Sequence, residues 1–526
     1  MENKALEKLH KGQIQFGDST FNPIKVSISQ FYGIEINDFA VTVAKTALWI
    51  AESQMMKETE TILHLNLDFL PLKSYTNIVE GNSLRLDWNE VIPKEQLNYI
   101  MGNPPFIGQA MRTKEQAKDI KDVFSPSKVG GKLDYVAGWF KKASDFMKYT
   151  NIETSFVSSN SICQGESVNL LWKLLLNDNI NINFAYTSFK WTSESKSTAG
   201  VSCVIIGFSY INRKSKILFD NANYKEVNHI NGYLKDAPDV FIENRSKSIN
   251  KDLAKVVQGS PPADDGRLIL SKEERESLIK KYPQLDNIIK PFIGSKEFIN
   301  DTEYTRYCIW LADKQPSDYV NIPELVDKFN YIRDYRLASP VDRIQKTADR
   351  PYLFTQNRQP KTDYLIIPRV SSERRKYIPI GFLPADVIAS DSVVLVYDAS
   401  LYDFGIICSN VHNAWMRTVA GRLESRYRYA PSVYYNFPMP NIDNKSREKI
   451  SATAKKILEA REIYKNHSLA DMYSENMYLF PELLKAHQQN DIAVMEAYGF
   501  DWHKMTESDC VAELMKMYQK LVEEKK

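Results

Sequence analysis

Through the first 240 residues, short alternating apolar runs are interleaved with longer apolar spacings of helical period. Phe31 to Glu35 predicts a short strand with an acid at its end. Residues 38–56 predict a helix whose apolar face is Phe39, Val43, Ala47 and Ile50. Ile62 to Phe69 alternates and predicts a strand. Asn77 to Leu84 predicts another, running into Gly81-Asn82-Ser83. Tyr99-Ile-Met predicts a strand broken by Asn103-Pro104-Pro105-Phe106. An amphipathic helix is expected over 133–149, then strands at Ser155–Ser158 and Val201–Tyr210. Strands alternating with helices predict an α/β sheet. After about residue 240 the rhythm is lost. Pro261-Pro262, Asp264-Asp265 and Gly266 mark a junction, followed by a mixed stretch rich in Tyr, Arg and Pro. Residues 444–466 and 480–525 regain helical spacing. Three regions follow: 1–240, 241–440 and 441–526.

Composition changes this picture little. The 526 residues are 43% hydrophobic and 12% aromatic, ample for packed cores in two or three domains. The 68 basic and 66 acidic residues give a formal +2, which excludes a global basic field. A nucleic-acid surface must therefore be a local patch. Five scattered cysteines without a CxxC pair read as reduced and cytoplasmic, with no zinc site or disulfide frame. The polar first residues carry no signal-peptide core, and no apolar run of about 18 residues predicts a membrane span.

Candidate chemistry centres on Asn103-Pro104-Pro105-Phe106, directly after an apolar strand. Residues past the carboxyl ends of strands line the ligand crevice of open α/β sheets. Two prolines stiffen the loop and remove two backbone donors, so it presents carbonyls. The Asn103 side-chain oxygen and the Pro104 carbonyl can accept from one amino group, and Phe106 offers a ring for stacking. That suits a planar base with an exocyclic amine, such as adenine. Two acceptors gripping the amine favour a lone pair aimed at a methyl donor and stabilise the positive charge developing on nitrogen. In duplex DNA the base must first be flipped out. The reading requires this corner to lie outside the packed core and to face space that admits a nucleobase. The competing reading is a proline-rich turn over a buried Phe.

These residues also carry a resemblance. Asn103-Pro-Pro-Phe106 resembles motif IV of amino-group DNA methyltransferases, Tyr32-Gly-Ile-Glu35-Ile-Asn resembles their motif II, and Ile78 to Leu84 resembles motif III. The fuller likeness is to large bifunctional restriction–modification enzymes that fuse nuclease, methyltransferase and target-recognition domain. It rests on the strings MGNPPFIGQ, SSERRKYIPIGF (from Ser371), Ser409 to Pro440 and Ala486 to Gly499, and covers nearly the whole chain. It implies an incomplete class I S-adenosylmethionine-dependent methyltransferase sheet, then a mixed α+β target-recognition domain and a helical tail. It implies an adenine-N6 DNA methyltransferase acting on double-stranded DNA in a restriction–modification system, without a metal. Glu35 would take the cofactor ribose, with Ile36, Asn82, Ser83 and Asn103 also contacting S-adenosyl-L-methionine; Asn82 stands where the family often has Asp, and its competing reading is a plain turn residue. Phe189 and Trp191, with Phe106, would contact the flipped base; core packing competes closely for the first two.

The family's Gly-rich cofactor turn, of the type DPACGSG, is not found ahead of Glu35. The expectation is a split, frameshifted or truncated product, with a separate chain carrying that turn and the nuclease. The alternative is a non-catalytic DNA-binding remnant or specificity subunit lacking cofactor binding. An Asn-Pro-Pro-aromatic loop also serves protein-glutamine methyltransferases, but the Arg/Tyr-rich middle region argues against that class. There, Arg369, Arg374, Arg375 and Lys376 form one basic cluster, and Arg422, Arg426 and Arg428 another, interleaved with tyrosines. Arginine suits phosphate and guanine edges, against a competing reading as solvated surface. His412 has no nearby acid or nucleophile and reads as structural.

Overall fold

The computed structural model describes residues 2–10, 25–63, 77–190, 202–220, 223–250 and 253–525, apart from 313, 315, 316, 318, 320 and 424. They form two compact units. One comprises Met1–Ser158, Leu175–Phe184 and Ile205–Lys214, and the other Ser159–Leu174, Ala185–Val204 and Ser215–Lys526.

In the first unit, helix α1 (Glu2–His10) is followed by strand β1 (Tyr32–Glu35), helix α2 (Asp38–Leu63) and strand β2 (Asn77–Glu80). Strands β1 and β2 pair in parallel, from Tyr32 opposite Asn77 to Glu35 opposite Glu80. A parallel pair needs a long crossover, which α2 begins. Helix α2 outruns its expected end and absorbs Ile62 and Leu63, so the strand expected from Ile62 does not start there. The rest of that run lies outside the described residues. The Thr42, Thr46, Thr59 and Thr61 hydroxyls bond carbonyls four residues back, which lets these residues sit in the helix. The stripe expected to be buried is not: Phe39, Val43 and Ile50 are 73%, 49% and 46% exposed, while Val41 and Leu63 are buried.

Strand β3 (Tyr99–Gly102) leads through the Asn103 loop to α3 (Lys114–Val123), α4 (Ala137–Phe146) and β4 (Glu153–Ser159). Thr113 and Gln116 form a capping box that starts α3. Helix α4 is shorter than the expected 133–149, because Asp134 spends its side chain on the N–H of Val136 and of Ile107. Strands β3 and β4 are parallel, with Gly102 opposite Phe156. Phe140 stacks on Phe208 at 5.2 Å and meets Phe156 edge-on at 5.3 Å, forming the aromatic centre of this unit's core. Strands β5 (Asn181–Lys190) and β6 (Ser202–Ser209), each divided between the units, and β7 (Lys216–Asp220) and β8 (Asn223–Val227), which belong to the second, follow in a sheet of order β3-β4-β6-β5-β7-β8.

The second unit is mixed. Strands β9 (Val256–Gln258), β10 (Ile269–Ser271), β11 (Ile289–Ile293) and β12 (Arg306–Ile309) precede helix α5 (Pro323–Leu337). Strands β13 (Tyr364–Pro368), β14 (Val370–Ser371), β15 (Gly381–Leu383), β16 (Ile388–Ala389) and β17 (Val393–Tyr397) follow it. They form two four-stranded sheets, β10-β12-β11-β16 and β15-β13-β17-β9. Leu268, Leu285, Ile309 and Leu325 centre one core, and Ile366, Val393 and Leu395 the other. After helices α6 (Leu401–Cys408) and α7 (Asn410–Val419), strands β18 (Gly421–Leu423) and β19 (Arg426–Arg428) join β14 in the order β14-β19-β18.

The junction read at Pro261 to Gly266 is a strained turn. Ala263 and Asp265 have φ of 46° and 50°, a region that disfavours side chains, and only Gly266, at 78°, is of the residue type suited to it. The fully buried Arg336 holds this turn. Its guanidinium donates to the carbonyls of Ala263 and Pro262, and to those of Thr347, Arg350 and Leu353, at 2.7–3.0 Å.

Helices α8 (Asn444–Ile463), α9 (Pro481–Ala497) and α10 (Glu507–Glu523) close the chain. The second helical run expected, 480–525, is therefore two helices. Gly499, at φ 72°, follows the end of α9, and a Thr506–Asp509 capping box starts α10. No helix among the described residues is long and apolar enough to cross a membrane.

Candidate active site

The Asn103 loop leaves β3 at its carboxyl end. Asn103 and Pro105 are exposed, Phe106 is half-buried and Pro104 is buried. The corner therefore lies outside the core, with Pro104 buried and the Asn103 amide open to solvent. One residue fixes it: the Ile107 N–H donates to Asp134 Oδ1 at 3.1 Å, and the Ile107 carbonyl accepts from the Tyr135 N–H at 3.0 Å. Burial raises the Asp134 carboxyl above its ordinary range, against the backbone donors of Val136 and Ile107, which lower it. Arg112 braces the following segment by donating to the carbonyls of Gly130 and Gly131.

A second group of residues meets at Asp119 on α3. Its Oδ1 accepts from Arg85 Nε at 2.7 Å. Its Oδ2 accepts from Asn82 Nδ2 at 3.0 Å and from the Tyr135 hydroxyl at 3.1 Å. Burial works against the Asp119 charge, but the Arg85, Tyr135 and Asn82 bonds outweigh it and hold the carboxyl below its usual range. Burial and the Asp119 charge push the Tyr135 phenol up to about 12. Asp119 thus ties the turn after β2 to Tyr135, whose backbone holds the Asn103 loop. No sequence pattern marks Asp119: it sits in a charged helix, and its partners are 16 to 37 residues away.

The candidate cofactor residues occupy the ends of β1 and β2. Glu35 Oε1 accepts from the N–H groups of Ile36 and Asn37, at 2.9 and 3.2 Å, which leaves Oε2 as an acceptor. The Gly81 N–H donates to the Glu35 carbonyl at 2.8 Å. A Cβ at Gly81 would lie 2.5 Å from Leu86 Cδ1, so any side chain there must push the Leu86 side chain aside. Ile36, beside the acid, is 67% exposed and offers an apolar surface. Asn82 is committed at both ends of its amide, since its Oδ1 also accepts the Leu84 N–H. The Ser83 carbonyl takes the Trp88 indole N–H. A carboxylate with a spare acceptor, a glycine turn and an exposed Ile fit a ribose and a purine, the nucleoside half of S-adenosylmethionine.

Other expected residues lie elsewhere. Phe189, in the second unit, packs edge-on against Tyr186 at 5.5 Å, and Tyr186 stacks on Phe219. Trp191 lies outside the described residues. A cavity of about 280 Å3 in the second unit is lined by Asn160, Lys235, Arg417 and Arg422 among others, not by the Asn103 loop. The basic residues separate into two kinds. Arg426 and Arg428 are exposed on β19, on either side of the buried Tyr427, so both project from one face of the ribbon. Arg374 and Lys376 are also exposed. Arg422 instead lies over the Tyr427 ring at 4.3 Å, with Nη1 3.4 Å from Glu373. Arg369 donates to the Asp391 carbonyl, and burial holds the Arg369 and Arg375 guanidiniums below their ordinary range. His412 is buried, 3.1 Å from the Tyr429 hydroxyl, and burial takes its pKa down to about 3, so it stays neutral.

Against known proteins, residues 1–220 match the family described as MmeI, DNA-methyltransferase domain. Residues 236–441 match MmeI, target recognition domain, and residues 442–525 match MmeI, C-terminal domain. DNA methyltransferase A of Bacillus subtilis (strain 168) is 37% identical over 530 residues, covering 99% of this chain and 59% of that protein. The chain thus spans less than two-thirds of that curated relative. The structure of the Type IIL restriction–modification enzyme MmeI in complex with DNA is similar at a TM-score of 0.85, with 38% identity over 99% of this chain and 70% of that one. The chain belongs to the MmeI family, and it carries that family's DNA-methyltransferase, target recognition and C-terminal domains.

Proposed function

We propose that this chain takes part in site-specific methylation of adenine N6 in duplex DNA within a restriction–modification system inside the cell, with working domain boundaries near 240 and 440. The observation that carries the reading is the open, donor-poor Asn103 corner at the carboxyl end of β3, held through Ile107 and Asp134. Asn103 Oδ1 and the Pro104 carbonyl grip the two protons of the amine, and Phe106 stacks the extruded ring. Stacking of this kind is worth about 1–3 kcal/mol per base. The two acceptors stabilise positive charge as it develops on nitrogen. Glu35 holds the cofactor ribose, Ile36 flanks the purine, and Asn82 and Ser83 shape the turn beside it. S-adenosylmethionine, when bound, supplies the electrophilic methyl group.

Phe189 and Trp191 are the remaining candidates for the base, and Arg369, Arg374, Arg375, Lys376, Arg422, Arg426 and Arg428 for DNA. Exposure favours Arg374, Lys376, Arg426 and Arg428 for direct phosphate contact, while Arg369 and Arg422 shape the ribbon beneath them. The reading includes a separate chain that supplies a Gly-rich cofactor turn. The test is transfer of tritiated methyl groups to duplex DNA by this chain together with the unmatched part of the Bacillus relative. Asn103→Ala is expected to lower the rate about 100-fold or more; full activity in that variant would refute the role given to the corner. Salt-dependent DNA binding with no heat of S-adenosylmethionine binding would favour the specificity-subunit reading instead.

A further inference from the structure

The cavity of about 280 Å3 lies wholly within the second unit, and four of its lining residues are charged: Lys235, Arg417, Arg422 and Glu507. Both arginines are already paired. Arg417 Nη1 donates to the two carboxylate oxygens of Glu507 at 3.1 and 3.2 Å, and its Nη2 donates to the Lys376 carbonyl at 2.6 Å. Arg422 Nη1 lies 3.4 Å from Glu373, and its Nη2 donates to the Tyr427 hydroxyl at 3.2 Å. Lys235 differs. Its half-buried ammonium makes one long hydrogen bond, to Ser508 Oγ at 3.4 Å, and among the described residues it has no ion pair with a carboxylate. Burial lowers its pKa, and the more distant Glu507 and Asp220 offset this only in part. An ammonium withdrawn from water without a counter-ion is costly, and a bound anion relieves that cost.

We infer that this cavity binds a phosphate group, with Lys235 as its charge partner. A carboxylate is recognised best by a free guanidinium fork, and both forks here are engaged. What remains are single donors from three segments: the Lys235 ammonium and the hydroxyls of Ser188 and Ser508. Each hydroxyl accepts one bond, from Asn160 Nδ2 and from Lys235, and keeps its own proton to give. Such donors suit a tetrahedral oxyanion with acceptors on every side. Glu507 and Ser508 also open the 17-residue helix α10, whose N-terminus favours negative charge. The volume approaches the roughly 300 Å3 at which small-ligand pockets begin, so there is room for what the phosphate is attached to. That is either a phosphorylated small molecule or the sugar of one DNA phosphodiester. The site rests on the cavity and its unpaired ammonium, and does not depend on the proposed methylation.

The test titrates inorganic phosphate into the full chain by calorimetry, against sodium chloride of equal ionic strength, with and without a duplex oligonucleotide. Saturable binding with a Kd of about 1 mM or below is expected. Lys235→Met should weaken it about tenfold or more. Glu507→Gln keeps an acceptor for Arg417 but removes the acid of the cavity wall, and should tighten binding several-fold. The duplex separates the two sources. If the occupant is a DNA phosphate, the duplex displaces inorganic phosphate, and Lys235→Met lowers the salt slope of DNA binding by about one. If it is a phosphorylated small molecule, phosphate binds equally with and without the duplex and the slope is unchanged. Three results would overturn the inference: no saturable binding up to about 10 mM phosphate, unchanged binding in Lys235→Met, or weaker binding in Glu507→Gln.

Discussion

Arg336 is a cation held by backbone rather than by an acid, and it lends itself to a quantitative test. All five of its guanidinium N–H groups are matched by five carbonyls, two of them from the strained Pro262–Ala263 turn. Burial lowers its pKa, and Asp264 offsets this only in part. Replacing a buried ion by an apolar residue is often neutral or stabilising when its partner can be replaced too. Here the partners are main-chain carbonyls that stay buried whatever occupies position 336. Each acceptor left unmet costs about 1–3 kcal/mol. Lysine has three donors, so Arg336→Lys strands at least two carbonyls and should cost about 3–5 kcal/mol. Arg336→Met strands all five and should cost more. For a unit of this size the lysine variant should melt roughly 4–7 °C lower. The assay is calorimetric or urea unfolding of the three proteins side by side. A lysine variant within about 2 °C of the parent, or a methionine variant more stable than the lysine one, would refute the argument.

Further outcomes can be measured in the same way. Burial raises the Asp491 carboxyl to about 7, although the Tyr377 hydroxyl and the Asn410 N–H both donate to it. Its folded pKa therefore lies above its unfolded value. Its contribution to stability is complete below about pH 4 and is lost as pH rises towards 7, at up to about 1.4 kcal/mol per pH unit. Asp491→Asn should remove that slope between pH 5 and 7, and equal slopes in urea titrations of the two proteins would contradict it. Tyr135→Phe takes one donor from Asp119 and should raise the KM for S-adenosylmethionine several-fold with little change in melting temperature; an unchanged KM would separate Asp119 from the cofactor turn. Arg428→Ala should reduce the salt slope of DNA binding by about one, whereas Arg422→Ala should lower stability, because its stacking and ion pair are internal. The opposite pattern would exchange the roles of the two arginines.

The elements that could be read from sequence were those whose signal is local. β1, β3 and the Asn103 corner each announce themselves within a few residues; the structure has both strands at their expected places and the corner exposed directly after β3. The face of α2 could not be read correctly. Phe39, Val43 and Ile50 carry the period of a buried stripe, yet a pattern tells which side is apolar and not what covers it. The 480–525 run broke for a related reason: helical composition continues across Gly499, and one left-handed residue outweighs it. Asp119, Asp134 and Arg336 were invisible because their partners come from distant turns. Arg336 in particular sits in an unremarkable polar stretch, and its value lies wholly in backbone atoms, which sequence does not display.

Two consecutive residues without an N–H also set a limit on the strand that leads into them. Beyond Gly102 nothing can go on pairing through Pro104 and Pro105, so any visitor to the open side of β3 has a ladder of only Tyr99 to Gly102 to climb. The outer edge of β3 is thereby guarded against continued sheet growth.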